Sequence, residues 1–234
     1  MNFAILLAGG KGERIKGANE PKQFIKIGGK PLFAYALEAM GNCADIDVIC
    51  VVTFPEKQNQ ISEFAAGFSE KLLFSVPGKS RQHSVLSGLE AIEENFVISE
   101  TDCVIVHDAA RPFVFSEDFY GCINAAKGFD GATPALSPSD TIYISENGKT
   151  ITEILDRDKL FAGQTPECYN FHKYIAAFRS LTDEQILKIR GGSELAFLFG
   201  MNIRLYPGNP KNLKITSDRD LEFLKFTIEN GGTI

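Results

Sequence analysis

The sequence predicts an α/β chain built on a doubly wound, mostly parallel sheet. Two observations carry that expectation. Short apolar, β-branched runs alternate with amphipathic stretches of helical length, the βαβα rhythm of such sheets. Three of the runs also end in segments rich in glycine or charge, and a doubly wound sheet binds ligands at the carboxyl ends of its strands. With 234 residues, 44% hydrophobic and 23% charged, the chain has ample core for one large α/β domain or two small ones.

The elements follow in order. Phe3 to Leu7 reads as a fully buried strand, because it is wholly apolar and ended by glycines. It runs into Ala8-Gly9-Gly10-Lys11-Gly12-Glu13-Arg14, a loop short of side chains and rich in backbone N–H groups. Glycines let such a loop turn tightly and let its amides approach an anion that a Cβ would hold away. Phe33 to Met40 is a helix introduced by Pro31, and Asp47 to Val52 is the next strand, ended by Thr53-Phe54-Pro55. Residues 56–70 read as an amphipathic helix. Leu72 to Val76 is a strand reaching Pro77-Gly78-Lys79-Ser80-Arg81, and Ser84 to Glu94 is a helix with Val85, Leu89 and Ile92 on one face. Cys103 to Val106 is another buried strand, leading into His107-Asp108-Ala109-Ala110-Arg111-Pro112. Later, two alternating β-branched runs flank Asn147-Gly148, a type I′ hairpin signal.

Charge narrows the ligand. The first 30 residues carry six basic groups, Lys11, Arg14, Lys16, Lys22, Lys26 and Lys30, against Glu13 and Glu20. The whole chain stands at −6, so this segment is +4 and the remainder −10. A cationic mouth on an acidic protein suits a small anion, and the chemistry suggested is a triphosphate cradled by backbone and neutralised by Arg14 and Lys22. Nucleic acid would call for a broad basic face with aromatic residues among the cations. No apolar run approaches the roughly 20 residues of a membrane span, and the short run at the start does not read as a signal peptide. Five scattered cysteines (Cys43, Cys50, Cys103, Cys122, Cys168) without metal spacing read as reduced structural thiols of a cytoplasmic protein.

Each loop also has a bland reading. The first lacks the Ser or Thr of a P-loop after Gly10-Lys11, and Ile15 stands where the dinucleotide fingerprint needs a third glycine, so it can be a plain strand-to-helix turn. Gly78 to Ser84 can be a solvated turn with Ser84 capping the next helix. His107 suits a packed strand-end imidazole better than a base. Asp108, directly after a buried strand, suits Mg²⁺ beside phosphates, because that ion takes one or two carboxylates plus phosphate oxygens. The hairpin, read alone, is a surface hairpin.

Together the motifs LAGGKGER with PKQF, GKSRQHSVLSGL, VHDAARP, DTI, DR, QTPE and NLKIT resemble one family, the cytidylyltransferases of polyol phosphates, over residues 5 to about 220. Its members make CDP-methylerythritol or CDP-ribitol. The resemblance implies a Rossmann-like fold of nucleotidyltransferase type, with residues 1–234 as a single domain and 138–156 as a protruding β-hairpin arm that joins two subunits of a homodimer. It implies transfer of CMP from CTP to a polyol phosphate with release of pyrophosphate. Ala8, Gly9, Gly10, Gly12, Arg14 and Lys22 match the positions that hold the CTP phosphates, and Gly78, Lys79 and Ser84 those that read cytosine. Asp108, beside Ala109, matches the Mg²⁺ ligand, Lys214 a lysine reaching the triphosphate, and Arg111, Thr141, Arg157 and Thr165 the substrate side. Lys22, Lys214, Arg14 and Arg157 would carry catalysis by positioning and by offsetting charge.

Departures from the pattern bear on the polyol. The methylerythritol enzymes carry Thr-Asp-Asp/Glu-Ala/Ser where this chain has Arg190-Gly191-Gly192-Ser193, while Glu167 replaces the Gln usual after Thr-Pro in both groups and does not separate them. Leu181-Thr182-Asp183-Glu184-Gln185 resembles a stretch of the ribitol-phosphate enzymes, whereas Ala109-Ala110 is closer to the methylerythritol pattern. On balance the sequence leans to ribitol 5-phosphate, with methylerythritol 4-phosphate as the alternative. The rivals from other classes are a sugar-1-phosphate uridylyl- or guanylyltransferase and a non-catalytic nucleotide-binding module. Base preference separates the first, and the presence of Arg14, Lys22, Asp108 and Lys214 argues against the second.

Overall fold

The computed structural model describes residues 1–10 and 20–229. Its frame is an eight-stranded sheet. The first half supplies β1 (Asn2–Leu7), the short ladder β2 (Lys26–Ile27) with β3 (Lys30–Pro31), α1 (Leu32–Gly41), β4 (Val48–Val52), α2 (Gln58–Glu63), β5 (Leu72–Ser75), α3 (Arg81–Asn95) and β6 (Cys103–Asp108). The second half supplies α4 (Ser116–Ala126), β7 (Gly131–Leu136), the ladder β8 (Tyr143–Ile144) with β9 (Glu153–Ile154), β10 (Ala162–Gly163) and β11 (Glu167–Asn170). There follow α5 (Phe171–Arg179), α6 (Asp183–Lys188), α7 (Gly192–Leu198), β12 (Ile203–Pro207) and α8 (Asp218–Glu229).

Strands β5, β4, β1 and β6 pair in that order, all parallel. Their apolar runs are buried on both faces, as β4 shows with all five residues covered. β11 then pairs antiparallel to both β6 and β7, β10 continues along β7, and β12 closes the edge parallel to β7. The chain moves outward from β1 through β4 to β5 and then returns to β6 on the other side of β1. A crevice opens at the carboxyl ends of β1 and β6, where the direction of winding reverses. One core cluster, with Leu6, Phe33, Leu37 and Phe119, fills one face of the sheet; another, with Phe3, Val85, Leu89 and Phe178, fills the other. A third and smaller cluster seats α8 through Leu221 and Leu224 on Ile27, Phe113 and Ile215.

Three local expectations are corrected. The helix expected over 56–70 is the six-residue α2 after a single 3₁₀ turn, because the chain turns at Ala65 to Phe68 and lays the Phe68 ring on Gly41. A Cβ on Gly41 would come within 2.3 Å of that ring. The helix expected from Ser84 starts at Arg81, with Ser80 as its cap: the Ser80 hydroxyl accepts from the His83 amide. Asn147-Gly148 forms no type I′ turn, since Asn147 keeps a negative φ and only Gly148 is positive, at 68°. Instead the Asn147 Oδ1 accepts from the amides of Lys149 (2.8 Å) and Thr150 (3.0 Å), folding the polar tip on itself and leaving two paired residues per strand.

Gly131 illustrates how tightly the sheet is built. A Cβ there would lie 2.4 Å from the Cys168 carbonyl of β11. That oxygen belongs to backbone and cannot swing aside as a side chain does. Gly131→Ala is therefore expected to lower stability by about 1–3 kcal/mol, the usual cost of overpacking. Urea unfolding followed by circular dichroism measures it, and an unchanged midpoint would mean that β7 and β11 part without cost.

Candidate active site

The crevice is a cleft of about 850 Å³. Gly9 and Gly10 after β1, Pro77 to Arg81 and Ser84 around the start of α3, Asp108 at the end of β6, and Lys22 and Lys214 line it. Four cationic side chains (Lys22, Lys79, Arg81, Lys214) thus face one carboxylate. Such a site is built for a polyanion.

Two loops meet at the floor. A Cβ on Gly9 would lie 2.4 Å from Cβ of Pro77, so only glycine lets the loop after β1 settle against the loop after β5. A Cβ on Gly78 would lie equally close to Cβ of His83. The first loop is anchored by Gln23, whose amide donates to the carbonyls of Ala8 and Gly10, both at 2.7 Å. Ala8 in turn donates its amide to the Val52 carbonyl at 2.9 Å. The second is anchored by Ser84, whose hydroxyl accepts from the Gly78 amide (3.1 Å) and donates to the Ser80 carbonyl (3.0 Å).

Asp108 is 7% exposed and would be costly to bury alone. Arg81 Nε donates to its Oδ1 at 2.9 Å and Lys214 Nζ to its Oδ2 at 2.6 Å. Burial by itself would raise the carboxyl; the two cations more than offset that and hold it well below the usual carboxylate range. Arg81 responds in kind: burial works against its charge, and Asp108 with Glu167 drives its pKa up. Lys22 Nζ reaches the Ile215 carbonyl at 2.8 Å, beside Lys214.

Beneath Asp108 lies His107, fully buried. Its Nε2–H donates to the Arg111 carbonyl (3.2 Å), so Nδ1 is the acceptor and the Thr165 hydroxyl donates to it (3.0 Å). The same Thr165 oxygen accepts from the Asp108 amide at 3.3 Å. This is a chain for a neutral imidazole, and burial pushes its pKa down to about 4.

The structure therefore brings Gly9, Gly10, Lys22, Gly78, Lys79, Ser84, Asp108 and Lys214 to one cleft, with Ala8 and Ala109 buried just behind. Gly12 and Arg14 lie outside the described residues. Thr165 and Arg111 stand behind the wall: Arg111 donates to the Asn212 carbonyl at 2.6 Å and so fixes the segment carrying Lys214. Thr141 and Arg157 are exposed on either side of the β8–β9 ladder, where Arg157 donates to the Ser139 carbonyl, and they do not line this cleft. Arg190 to Ser193 do not line it either. Arg81 is the functional residue that sequence reasoning passed over. Its charge next to Pro77-Gly78 was visible; its contact with Asp108, 27 residues on, was not.

A family model described as IspD, 2-C-methyl-D-erythritol 4-phosphate cytidylyltransferase, matches residues 2–230. The chain belongs to this family. The enzyme of that name from Clostridium acetobutylicum is 34% identical over 224 residues, covering 94% of each chain. A solved 4-diphosphocytidyl-2C-methyl-D-erythritol synthase from Anaerococcus prevotii superposes with a TM-score of 0.81 at 23% identity, over 98% of this chain and 96% of that one, and bears on the fold. The 2-C-methyl-D-erythritol 4-phosphate cytidylyltransferase structure from Thermus thermophilus gives 0.73 at 25%, over 98% and 100%. As a member of this family the protein is a nucleotidyltransferase with the expected α/β fold. Among the described residues no helix is long and apolar enough to cross a membrane.

The buried imidazole makes a prediction. In the unfolded chain His107 binds its proton near pH 6.5, in the folded one near 4, so between those values the unfolded state binds more protons. Its contribution is full above pH 6.5 and is lost as pH falls toward 4, worth about 3 kcal/mol in all. Urea unfolding at pH 7, 5.5 and 4.5 follows the loss. Imidazole ¹⁵N shifts should show His107 neutral at pH 5.5, and a midpoint near 6.5 would contradict the chain of hydrogen bonds.

Proposed function

We propose that this enzyme transfers CMP from CTP to 2-C-methyl-D-erythritol 4-phosphate, releasing pyrophosphate. The observation that carries the reading is the cationic cleft at the reversal of the sheet, in a chain that matches the methylerythritol family model from end to end. The sequence's lean toward ribitol 5-phosphate gives way here, since the family model and the relatives at 32–34% identity bear the methylerythritol name. One of the stretches behind that lean, Arg190 to Ser193, does not line the cleft.

In this reading a phosphate oxygen of the polyol substrate attacks the α-phosphorus and the P–O bond to pyrophosphate breaks. The substrate brings its own nucleophile, so the protein's work is placement and charge. Gly9 and Gly10 bring backbone to the phosphates, and Gly78 and Ser84 present the small groups that separate cytosine from uracil. Lys22, Lys214 and Arg81 offset charge gathering on the oxygens. Asp108 suits Mg²⁺: each carboxylate oxygen gives one lone pair to a cation and keeps another, and that ion takes one or two carboxylates with phosphate oxygens. That ion, carried in on phosphate oxygens, would supply further positive charge at the triphosphate.

A homodimer through the arm belongs to the same proposal. Tyr143, Ile144, Ile151 and Ile154 on residues 138–156 are 40–64% exposed, an apolar surface that a second copy would cover. Thr141 and Arg157 would then serve a partner's polyol site.

Three outcomes are expected. Pyrophosphate release with CTP should be faster with methylerythritol 4-phosphate than with ribitol 5-phosphate; the reverse order would overturn the substrate. Lys214→Ala should lower the rate by about 100- to 1000-fold with the fold intact, and a near-native rate would remove Lys214 from the chemistry. Shortening the arm around Asn147-Gly148 should halve the mass seen by light scattering, whereas an unaltered mass would sink the arm's role.

A further inference from the structure

Glu167 is 6% exposed, lies at the start of β11, and borders no described part of the cleft. Its Oε2 stands 3.7 Å from Arg81 Nη2, an ion-pair distance. Arg81 is thereby held from two sides: Nε by Asp108 at 2.9 Å, Nη2 by Glu167. A guanidinium fixed at only one nitrogen could pivot about that bond and carry the carboxylate with it. Fixed at two, it sets the direction in which Asp108 points.

The space for Glu167 is supplied by Gly192, the first residue of α7. A Cβ on Gly192 would lie 2.8 Å from Glu167 Oε2, 2.8 Å from the Tyr174 hydroxyl and 3.0 Å from that of Tyr169. Three buried oxygens therefore converge where any larger residue would have to stand.

We propose that Glu167 is a positioning residue for the transfer, fixing Arg81 and through it Asp108, and that Gly192 is its obligate partner. Burial pushes the Glu167 carboxyl up, and Arg81, drawing it down, offsets only part of that rise, to which the nearby Asp108 adds.

The inference rests on the proposed reaction, and the test keeps the two apart. Glu167→Gln should lower kcat by about 10- to 100-fold, the usual effect of losing a group that orients another, with KM for CTP changed less. Gly192→Glu alone should be worse than the parent, because it crowds a second carboxylate against the first. Arg81→Met should cost at least as much as Glu167→Gln, and the double variant R81M/E167Q no more than Arg81→Met alone, because Glu167 acts through that guanidinium; a merely structural role would leave the two losses in kcat multiplicative. Glu167→Gln within about twofold of the parent, or losses that multiply in the double variant, overturns the proposal. Should the parent release no pyrophosphate, the reaction falls, and a cycle of Arg81→Met and Glu167→Gln in urea unfolding still decides the contact. Strong non-additivity supports it, and additive shifts overturn it.

Discussion

Everything at the cleft depends on the burial of one carboxylate. Asp108 ends a strand that is covered on both faces, and its charge is taken out of water. Left unpaired it would cost several kcal/mol and would simply take up a proton. It stays ionised because Arg81, from the start of α3, and Lys214, from the segment before α8, both bond to it. Those partners are 27 and 106 residues away, so one buried charge ties together the β5–α3 loop, the β6 end and the C-terminal segment. The dependence runs both ways. Two cations held side by side repel, and without Asp108 the cleft's positive charge would have to be assembled as a ligand arrived. With it, the donors stand in place beforehand, which is how charge stabilisation avoids reorganisation at the moment of reaction.

The layer below explains how such a cluster is kept in register. His107 sits among Asp108, Arg111 and Arg81, and a charged imidazole there would add a third buried cation. Its neutral form instead links the Arg111 carbonyl to Thr165, and Thr165 takes the Asp108 amide. Asn212 extends the frame by donating to the Thr165 carbonyl at 2.7 Å while its own carbonyl accepts from Arg111. Every polar link fixes either the carboxylate or the lysine that pairs with it. Thr165 and Arg111, matched to substrate contact on motif, are both members of this hydrogen-bonded frame.

What was legible in the sequence is what local physics determines. Strands such as Val48 to Val52 announce themselves because a run with two buried faces must be apolar throughout. Gly9, Gly10 and Gly78 announce a close approach because nothing else needs so little room. The errors share one cause, tertiary contact overriding a local signal. Ser80 and Ser84 are both capping residues by type, and only the fold shows Ser84 engaged in holding Gly78. Residues 56–70 have helical periodicity, yet Phe68 finds a better seat against Gly41 than a further turn of helix would give it. Asn147-Gly148 spells a tight hairpin, but an exposed two-residue ladder gives the pair no sheet to conform to, and the Asn side chain satisfies the local amides itself. Arg81 escaped because depth cannot be read from a charge in a loop.

The substrate shows the same limit from the other side. Arg190 to Ser193 differ from the methylerythritol pattern, and in one dimension a difference near substrate-contacting positions reads as a difference in substrate. In three dimensions the glycine admits the glutamate, the glutamate faces Arg81, and neither residue borders the cleft. Neither residue therefore touches what the cleft binds. A motif scored position by position cannot see this, because contact is a property of pairs. A whole-chain match, spread over every strand and loop, is nearly indifferent to two such exchanges, and for that reason it is the better guide to the reaction here.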